Sequence, residues 1–417
     1  MIPAIAIRWR IPHTIYPMTS RRNLLLATAA AAWPGSAKTK KAIATVITEY
    51  RPNAHADVIV GRLLEGYEYD GRLRPPAVQV VSMYTDQVPE NDMSRSMAAS
   101  HHVKIYPKVA DSLTLGTGKL AVDGVVLIGE HGNYPLNDRG QKLYPRYRLY
   151  QQIVNVFRKS GRSVPVYSDK HFSTEWTEAR QMFDESRELR FPLMAGSSLP
   201  IAWRRPPLEL PLGAPLEHAA SVFYGGKEPY GFHALEALQC MVERRQGGET
   251  GVARVACLEG PAVWQWTDEY HWAARLLEAA LAKSETRKPG SPRDNTPAPV
   301  LFRLQYRDGL NAAVYILNGH CRDCTFAAEI KGRTAPLATE IWLQSQRPFS
   351  HFSVLVNYIE QMMLTGREPY PPERTLLTTG ALAALMGSKG EWVETPHLNL
   401  SYRAPGRSLY ARGPVPA

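Results

Sequence analysis

Four short stretches hold most of the side chains in this 417-residue chain that could do chemistry. Thr48-Glu49-Tyr50-Arg51-Pro52-Asn53 puts a carboxylate, a guanidinium and an amide in one turn. Gly129-Glu130-His131-Gly132 sets a carboxylate beside an imidazole. Ser168-Asp169-Lys170-His171 strings together an acid, an amine and an imidazole, and Tyr230-Gly231-Phe232-His233 adds a phenol and a further imidazole. Such groups suit proton transfer, because lysine desolvated in a crevice loses its charge readily and a general acid or base needs a pKa near neutrality. Glu130, His131, Asp169, His171, His233 and Glu236 also carry the N and O donors that metals take. No His-x-x-x-His or comparable spacing joins them, so they read as separate polar loop residues and no metal is expected.

Other candidates are thinner. Cys321-Arg322-Asp323-Cys324 is a lone Cys-x-x-Cys; Cys240 and Cys257 do not supply a zinc site's second pair, and a local disulfide stays open. Gly196-Ser197-Ser198-Leu199-Pro200 lacks the Gly-x-Ser-x-Gly elbow and reads as a strand-end turn near the site. Of Arg204 and Arg205, which follow Trp203, one faces the crevice or both are solvated linker charge. Trp264 and Trp266 read as alternating packing residues of a strand.

The elements that must position these groups alternate. Lys41–Thr48 is uninterrupted and β-branched, as a buried parallel strand should be. Ala54–Leu64 follows with Val58, Ile59, Leu63 and Leu64 at helical spacing, stopped by Gly66. Further strands are predicted at Val78–Tyr84, His102–Tyr106, Ala121–Ile128, Val164–Tyr167 and Phe191–Ala195, and helices at Met93–Ser100, Tyr147–Lys159 and Thr174–Glu188. That grammar predicts an α/β fold with a doubly wound parallel sheet and a ligand crevice at the strands' carboxyl ends, where the first three polar stretches fall. After about residue 200 a Pro-rich connection leads to a helix at His233–Arg245. Strand-like runs follow at Val252–Leu258, Pro299–Gln305, Ala312–Leu317, Thr325–Ile330 and Thr339–Leu343, as in an open, mostly antiparallel sheet. Residues 283–299, charged and Pro-rich, read as a mobile surface loop. Phe352–Thr365 and Thr375–Met386 are closing helices.

The chain carries 49 Lys and Arg against 39 Asp and Glu, a net +10. Arg8, Arg10, Arg21 and Arg22 contribute four of those charges within residues 1–37, which hold no acidic residue. The adjacent Arg21-Arg22, a short apolar run and a Gly35-Ser36-Ala37 end have the form of a twin-arginine export signal. Removing it leaves 45 against 39. Basic runs are not interleaved with aromatics, so no nucleic-acid partner is expected. Leu24–Trp33 is about half of the ~20 residues that span a bilayer, so no stable membrane span is expected. The predicted organisation is an export signal (1–37), a first domain (38–200) and a second (201–417), in a periplasmic or secreted protein carried out folded. Four cysteines are too few for a disulfide scaffold.

Three stretches carry a resemblance. Pro165-Val166-Tyr167-Ser168-Asp169-Lys170-His171, Val122-Asp123-Gly124-Val125-Val126 and Gly231-Phe232-His233-Ala234-Leu235-Glu236-Ala237-Leu238 stand in the order seen in Gfo/Idh/MocA oxidoreductases, and the chain resembles that family over roughly residues 40–400. The resemblance implies a Rossmann-like domain, NAD or NADP as cofactor, a sugar- or polyol-like substrate and a possible homo-oligomer formed through the second sheet's open face. It implies that His233 is the general base, with Lys170 and Asp169 beside it. It places Arg51, Asn53, Asp86, Glu130 and His131 on the cofactor, Asp86 at the ribose favouring NAD. His171, Arg204, Tyr230 and Glu236 fall on the substrate. The sequence departs from the family at the first turn, where Thr48–Asp57 has no glycine to admit a pyrophosphate. It departs again where Pro229 replaces an acidic residue, with Glu228 the nearest carboxylate. A fold relative without dinucleotide, binding carbohydrate or catalysing a cofactor-free or metal-assisted elimination or hydrolysis, therefore stays open.

Overall fold

The computed structural model describes residues 39–413, and the proposed export signal lies outside the described residues. β1 (Ala42–Ile47) leads into α1 (His55–Glu65) and a small hairpin of β2 (Tyr67–Tyr69) and β3 (Arg72–Arg74). β4 (Gln79–Thr85), α2 (Ser94–Ser100), β5 (Lys104–Ile105), α3 (Val109–Thr114), β6 (Gly124–Ile128), α4 (Arg146–Ser160), β7 (Val166–Asp169), α5 (Trp176–Glu188) and β8 (Leu193–Gly196) follow. Six strands make an all-parallel sheet in the order β5-β4-β1-β6-β7-β8. The apolar run of β1 is explained by helices on both faces: α1 and α10 cover one, α4 and α5 the other. Strand order reverses between β1 and β6, so the carboxyl ends of β1, β6 and β7 splay into a crevice.

The second half contains β9 (Trp203–Arg205), β10 (Leu216–Phe223), α6 (Pro229–Val242), β11 (Val252–Glu259), α7 (Pro261–Glu269), α8 (His271–Leu281) and α9 (Pro292–Asn295). β12 (Val300–Tyr306), β13 (Asn311–Ile316), β14 (Cys324–Ile330), β15 (Leu337–Trp342), α10 (His351–Thr365), α11 (Glu373–Gly387) and β16 (Val393–Glu394) complete it. Its eight-stranded sheet runs β16-β11-β12-β13-β10-β14-β15-β9, antiparallel except where β10 meets β13. α6 and α11 pack on one face.

The structure bears on four expectations. Trp264 and Trp266 lie on helix α7, where 3.6-residue spacing buries Val263, Trp266 and Thr267 together. α7 and α8 cover the second sheet's other face, with Trp266, Leu276 and Leu277 over Ala220, Tyr315 and Ala327. That face is thus occupied by the chain's own helices. Within residues 283–299, Lys288 N–H donates to the His320 carbonyl (2.8 Å) and Ser284 Oγ to Asp323 (2.8 Å), and α9 forms. Cys321 and Cys324, like Cys240 and Cys257, are buried free thiols.

Candidate functional site

A cleft of about 540 Å³ opens at the ends of β1, β6 and β7 and is closed from the other side by β15, α6 and the segment before α10. Glu130, His131, Asp169, Lys170, Tyr230 and His233, all singled out by sequence, line it. Lys170 sits one residue past β7 at φ +68°, a left-handed backbone that lysine adopts only under constraint. The constraint is a two-way bridge to β8: Lys170 N–H donates to the Gly196 carbonyl and Gly196 N–H to the Lys170 carbonyl, each at 3.1 Å.

From there Lys170 Nζ reaches His233 Nε2 at 2.8 Å and Glu130 Oε1 at 3.8 Å. Burial, then the positive charges of Lys170 and His55, push the His233 imidazole well below its ordinary value, so it is neutral near pH 7. Burial alone would raise Glu130; the charges of Lys170 and Arg146 outweigh it and hold the carboxyl far below its usual range. Arg146 also bonds Glu130 directly. The result is one amine and one neutral imidazole in contact over a fixed carboxylate. A proton can pass within that pair while Glu130 balances the charge.

His55, the first residue of α1, was not singled out by sequence. Its Nδ1 lies 2.7 Å from Asp169 Oδ2, and the Tyr167 hydroxyl donates to Asp169 Oδ1 at 3.1 Å. Asp169 is nearly fully buried, and it is the residue that orients His55 at the cleft wall. The pairing spans 114 positions of sequence and arises only because β1 and β7 flank β6. A titratable residue opening the helix after the first strand was the one local signal. His131, at φ +69°, is pushed down to about 4 by burial and then by the His55 charge. His351, also on the wall, falls to about 3, chiefly through burial.

Six expected site residues do not line the cleft. His171 is buried behind it, with Nε2 2.9 Å from Glu228 Oε1 and Nδ1 3.0 Å from the Ser173 carbonyl. Burial would raise Glu228, but the His171 hydrogen bond and charge hold its carboxyl below the ordinary range. Arg204 turns into the core, where its guanidinium meets the carbonyls of Leu208 (3.0 Å) and Pro200 (3.3 Å) and the Tyr410 ring. Glu236 is a brace: Oε2 accepts Ser197 N–H (2.6 Å) and Oγ–H (2.7 Å), and Oε1 accepts Thr375 Oγ1–H (3.2 Å). It ties α6 to the turn after β8. Burial raises its carboxyl to about 7 despite those donors.

The remaining three, Arg51, Asn53 and Asp86, surround the first turn. Arg51 pairs with Glu49 and approaches His131 Nδ1 at 3.3 Å. Asn53 N–H donates to Asp57 Oδ2 (2.8 Å), while Arg347 donates to Asn53 Oδ1 (2.8 Å) and Asp57 Oδ2 (2.7 Å). Asp86 accepts from the hydroxyls of Tyr84 (2.6 Å) and Tyr134 (2.8 Å) and from Arg148 (3.0 Å). These bonds outweigh burial and lower its pKa. Tyr50, where a glycine would let a pyrophosphate approach, is fully buried in the core. Gln87 N–H donates to the Thr48 carbonyl (2.8 Å), and its side chain exchanges two hydrogen bonds with the Asn133 backbone (2.8 and 3.0 Å). The loops after β4 and β6 are thereby laced together across the β1 turn. A helix N-terminus attracts phosphate through unpaired N–H groups and positive potential. Here the carboxylates of Glu49 and Asp57 already engage Arg51 and Arg347, and Asp57 also takes the Asn53 N–H. The turn is closed by buried Tyr50 and the Asp86 and Gln87 hydrogen bonds, so these residues do not fit a dinucleotide. Among the described residues, no group of three or more His, Cys, Asp or Glu is placed to hold a metal, and no helix is long and apolar enough to cross a membrane.

The chain shares its fold with solved structures of dehydrogenases and oxidoreductases. GenD2 from gentamicin A biosynthesis, in complex with NAD, matches with a TM-score of 0.53 at 13% identity, over 86% of this chain and 97% of that one. Myo-inositol dehydrogenase from Lactobacillus casei, in complex with NAD(H) and myo-inositol, matches with a TM-score of 0.52 at 11% identity, over 86% and 97%. An oxidoreductase from Agrobacterium radiobacter, in complex with NAD+, L-tartaric acid and magnesium, gives 0.52 at 12%, over 85% and 98%. No protein-family model and no curated protein matches the sequence.

Proposed function

We propose that this chain is an enzyme on the dehydrogenase fold that moves a proton to and from a small sugar- or polyol-like molecule. Lys170 and His233 are the proton-handling pair. The observation that carries this reading is the 2.8 Å contact between Lys170 Nζ and a buried, neutral His233, over Glu130. A substrate hydroxyl brought to Lys170 would give its proton to the pair, and Glu130 would offset the added charge. Tyr224, Tyr230 and Trp342 supply aromatic faces on the cleft wall for the C–H side of a sugar ring. Residues 1–37 would send the folded protein out of the cytoplasm, so the mature chain isolated from an exporting host should lack them by intact mass.

A second reading, oxidation of the hydroxyl with hydride passing to NAD or NADP, is favoured by the NAD complexes among the fold neighbours. The first-turn residues weigh against it. The test is ligand-observed NMR of myo-inositol, L-tartrate, D-glucose and D-fructose with the wild-type protein, then turnover by Lys170→Met and His233→Gln. At least one polyol should bind, and each variant should lose about 10²–10⁴-fold in turnover. No binding by any of them, or wild-type rates in both variants, would sink the proposal.

A further inference from the structure

We infer that the cleft runs a redox-neutral reaction, in which the His55–Asp169 pair supplies a second acid–base group where the fold's relatives hold a nicotinamide cofactor. This rests on the reading of Lys170 and His233 as the proton-handling pair and names the reaction class.

Two independent observations lead there. The first is the laced first turn. Asp86 is committed to Tyr84, Tyr134 and Arg148, and Gln87 to Thr48 and Asn133. An adenosine entering between β1 and β4 would have to break these bonds, and its phosphates would find Arg51 and Arg347 already engaged by Glu49 and Asp57. The second is His55. Asp169 fixes its Nδ1 as the donor, which leaves the Nε2 lone pair as the basic site, and Nε2 makes no protein hydrogen bond among the described residues. His55 lines the same cleft as His233. One cleft thus holds two separate bases, each oriented by its own partner, and lacks a fitting seat for a hydride acceptor.

Two bases and no oxidant suit proton movement along a carbon chain. With a polyhydroxylated aldehyde or ketone, His55 takes the proton from the carbon next to the carbonyl. The C–H electron pair becomes the C=C bond of an enediol, and the carbonyl oxygen takes a proton from Lys170. Return of a proton to either carbon, and release of one from oxygen, regenerates a carbonyl compound. Every electron stays in the substrate, and the protons are exchanged with the two pairs. The ligand class is therefore a sugar carrying a free carbonyl, and the chemistry is isomerisation or epimerisation.

The test uses the full mature protein in D2O with D-fructose, D-tagatose and D-glucose, following carbon-bound deuterium by NMR with no dinucleotide added, and in parallel titrates NAD+, NADH and NADPH calorimetrically. We expect deuterium to enter at least one sugar that binds, and no dinucleotide to bind at 1 mM. His55→Gln should lower exchange at saturating sugar by about 100-fold while the half-saturating concentration changes less than about threefold. Asp169→Asn should do the same, the split between rate and half-saturation marking a positioning role rather than loss of the fold. Dinucleotide binding, exchange that needs NAD+, wild-type exchange in His55→Gln, or no exchange in any sugar that binds would each overturn the inference. Failure of these sugars to bind while myo-inositol or L-tartrate binds would overturn the inference alone; failure of every one of them to bind would overturn instead the reading on which it rests.

Discussion

Replacing Lys170 by Met removes the ammonium and keeps an unbranched side chain one atom shorter, and its first consequence falls on His233. Two unit charges about 4 Å apart at an effective dielectric near 20 repel by ~4 kcal/mol, or about three pH units of proton affinity. The 2.8 Å contact puts the imidazole within that range of Nζ. Burial is the larger cause of the depressed His233 pKa and survives the substitution, and Glu130 remains beside the ring to favour its proton. The expected change is therefore an upward shift of His233 by about one to three pH units. Ring-labelled histidine NMR measures it directly, with His233→Gln identifying the signal. Stability gives the same sign. A histidine whose folded pKa is depressed stabilises the fold above its unfolded pKa, ~6.5, and that contribution is lost as pH falls below it. Lys170→Met should lose less stability than wild type as pH falls below about 6.5. A His233 signal that stays put, or moves down, would refute the coupling on which the proton relay depends.

Glu236, raised to about 7, contributes with the opposite sense. Its folded carboxyl keeps a proton that the unfolded chain releases near 4.5, so this stabilisation is present at low pH and lost as pH rises from about 4.5 to 7. Glu236→Gln should gain on wild type by roughly 3 kcal/mol across that window in urea melts, and parallel curves would contradict it. Gly196→Ala would place a Cβ 2.4 Å from Glu236 Oε1 at φ +111°, and should cost about 2–4 kcal/mol in the same melts. An unchanged midpoint would show that the brace yields. Tyr134→Phe deletes a hydroxyl bonded to Asp86 and should speed amide hydrogen exchange at Gln87 and Asn133, with a stability loss of about 1 kcal/mol. Unaltered exchange there would mean the loops after β4 and β6 are held by other contacts.

The parallel sheet was legible because burial on both faces favours apolar, β-branched runs, which β1 and β6 carry most clearly, and because strand and helix patterns alternate. The strand ends then located Glu130, His131, Asp169 and Lys170 without further information. The second half was less legible. Trp264 and Trp266 are two apart and read as a strand, although the period is helical and buries Trp266 with Val263, and β10 follows a proline-rich stretch that masks it. Arg204 shows what composition hides: a cation reads as surface unless its carbonyl partners, here Leu208 and Pro200, are known. Glu236 and His171 were expected on the substrate, but one braces a turn and the other is buried behind the cleft wall, because the acceptors and donors that claim them lie far away in sequence. His55 was missed because its meaning lies in Asp169, on a strand that only the topology brings alongside.

The account turns on whether substrate meets this cleft between Lys170–His233 and His55–Asp169. Titrating ring-labelled wild-type protein with a sugar that binds tests this most directly. The His233, His55 and His131 signals should move together with one saturation curve, while His218 and His397, which do not line the cleft, stay fixed. Saturation that moves His218 or His397 and leaves His233 and His55 unchanged would contradict the account.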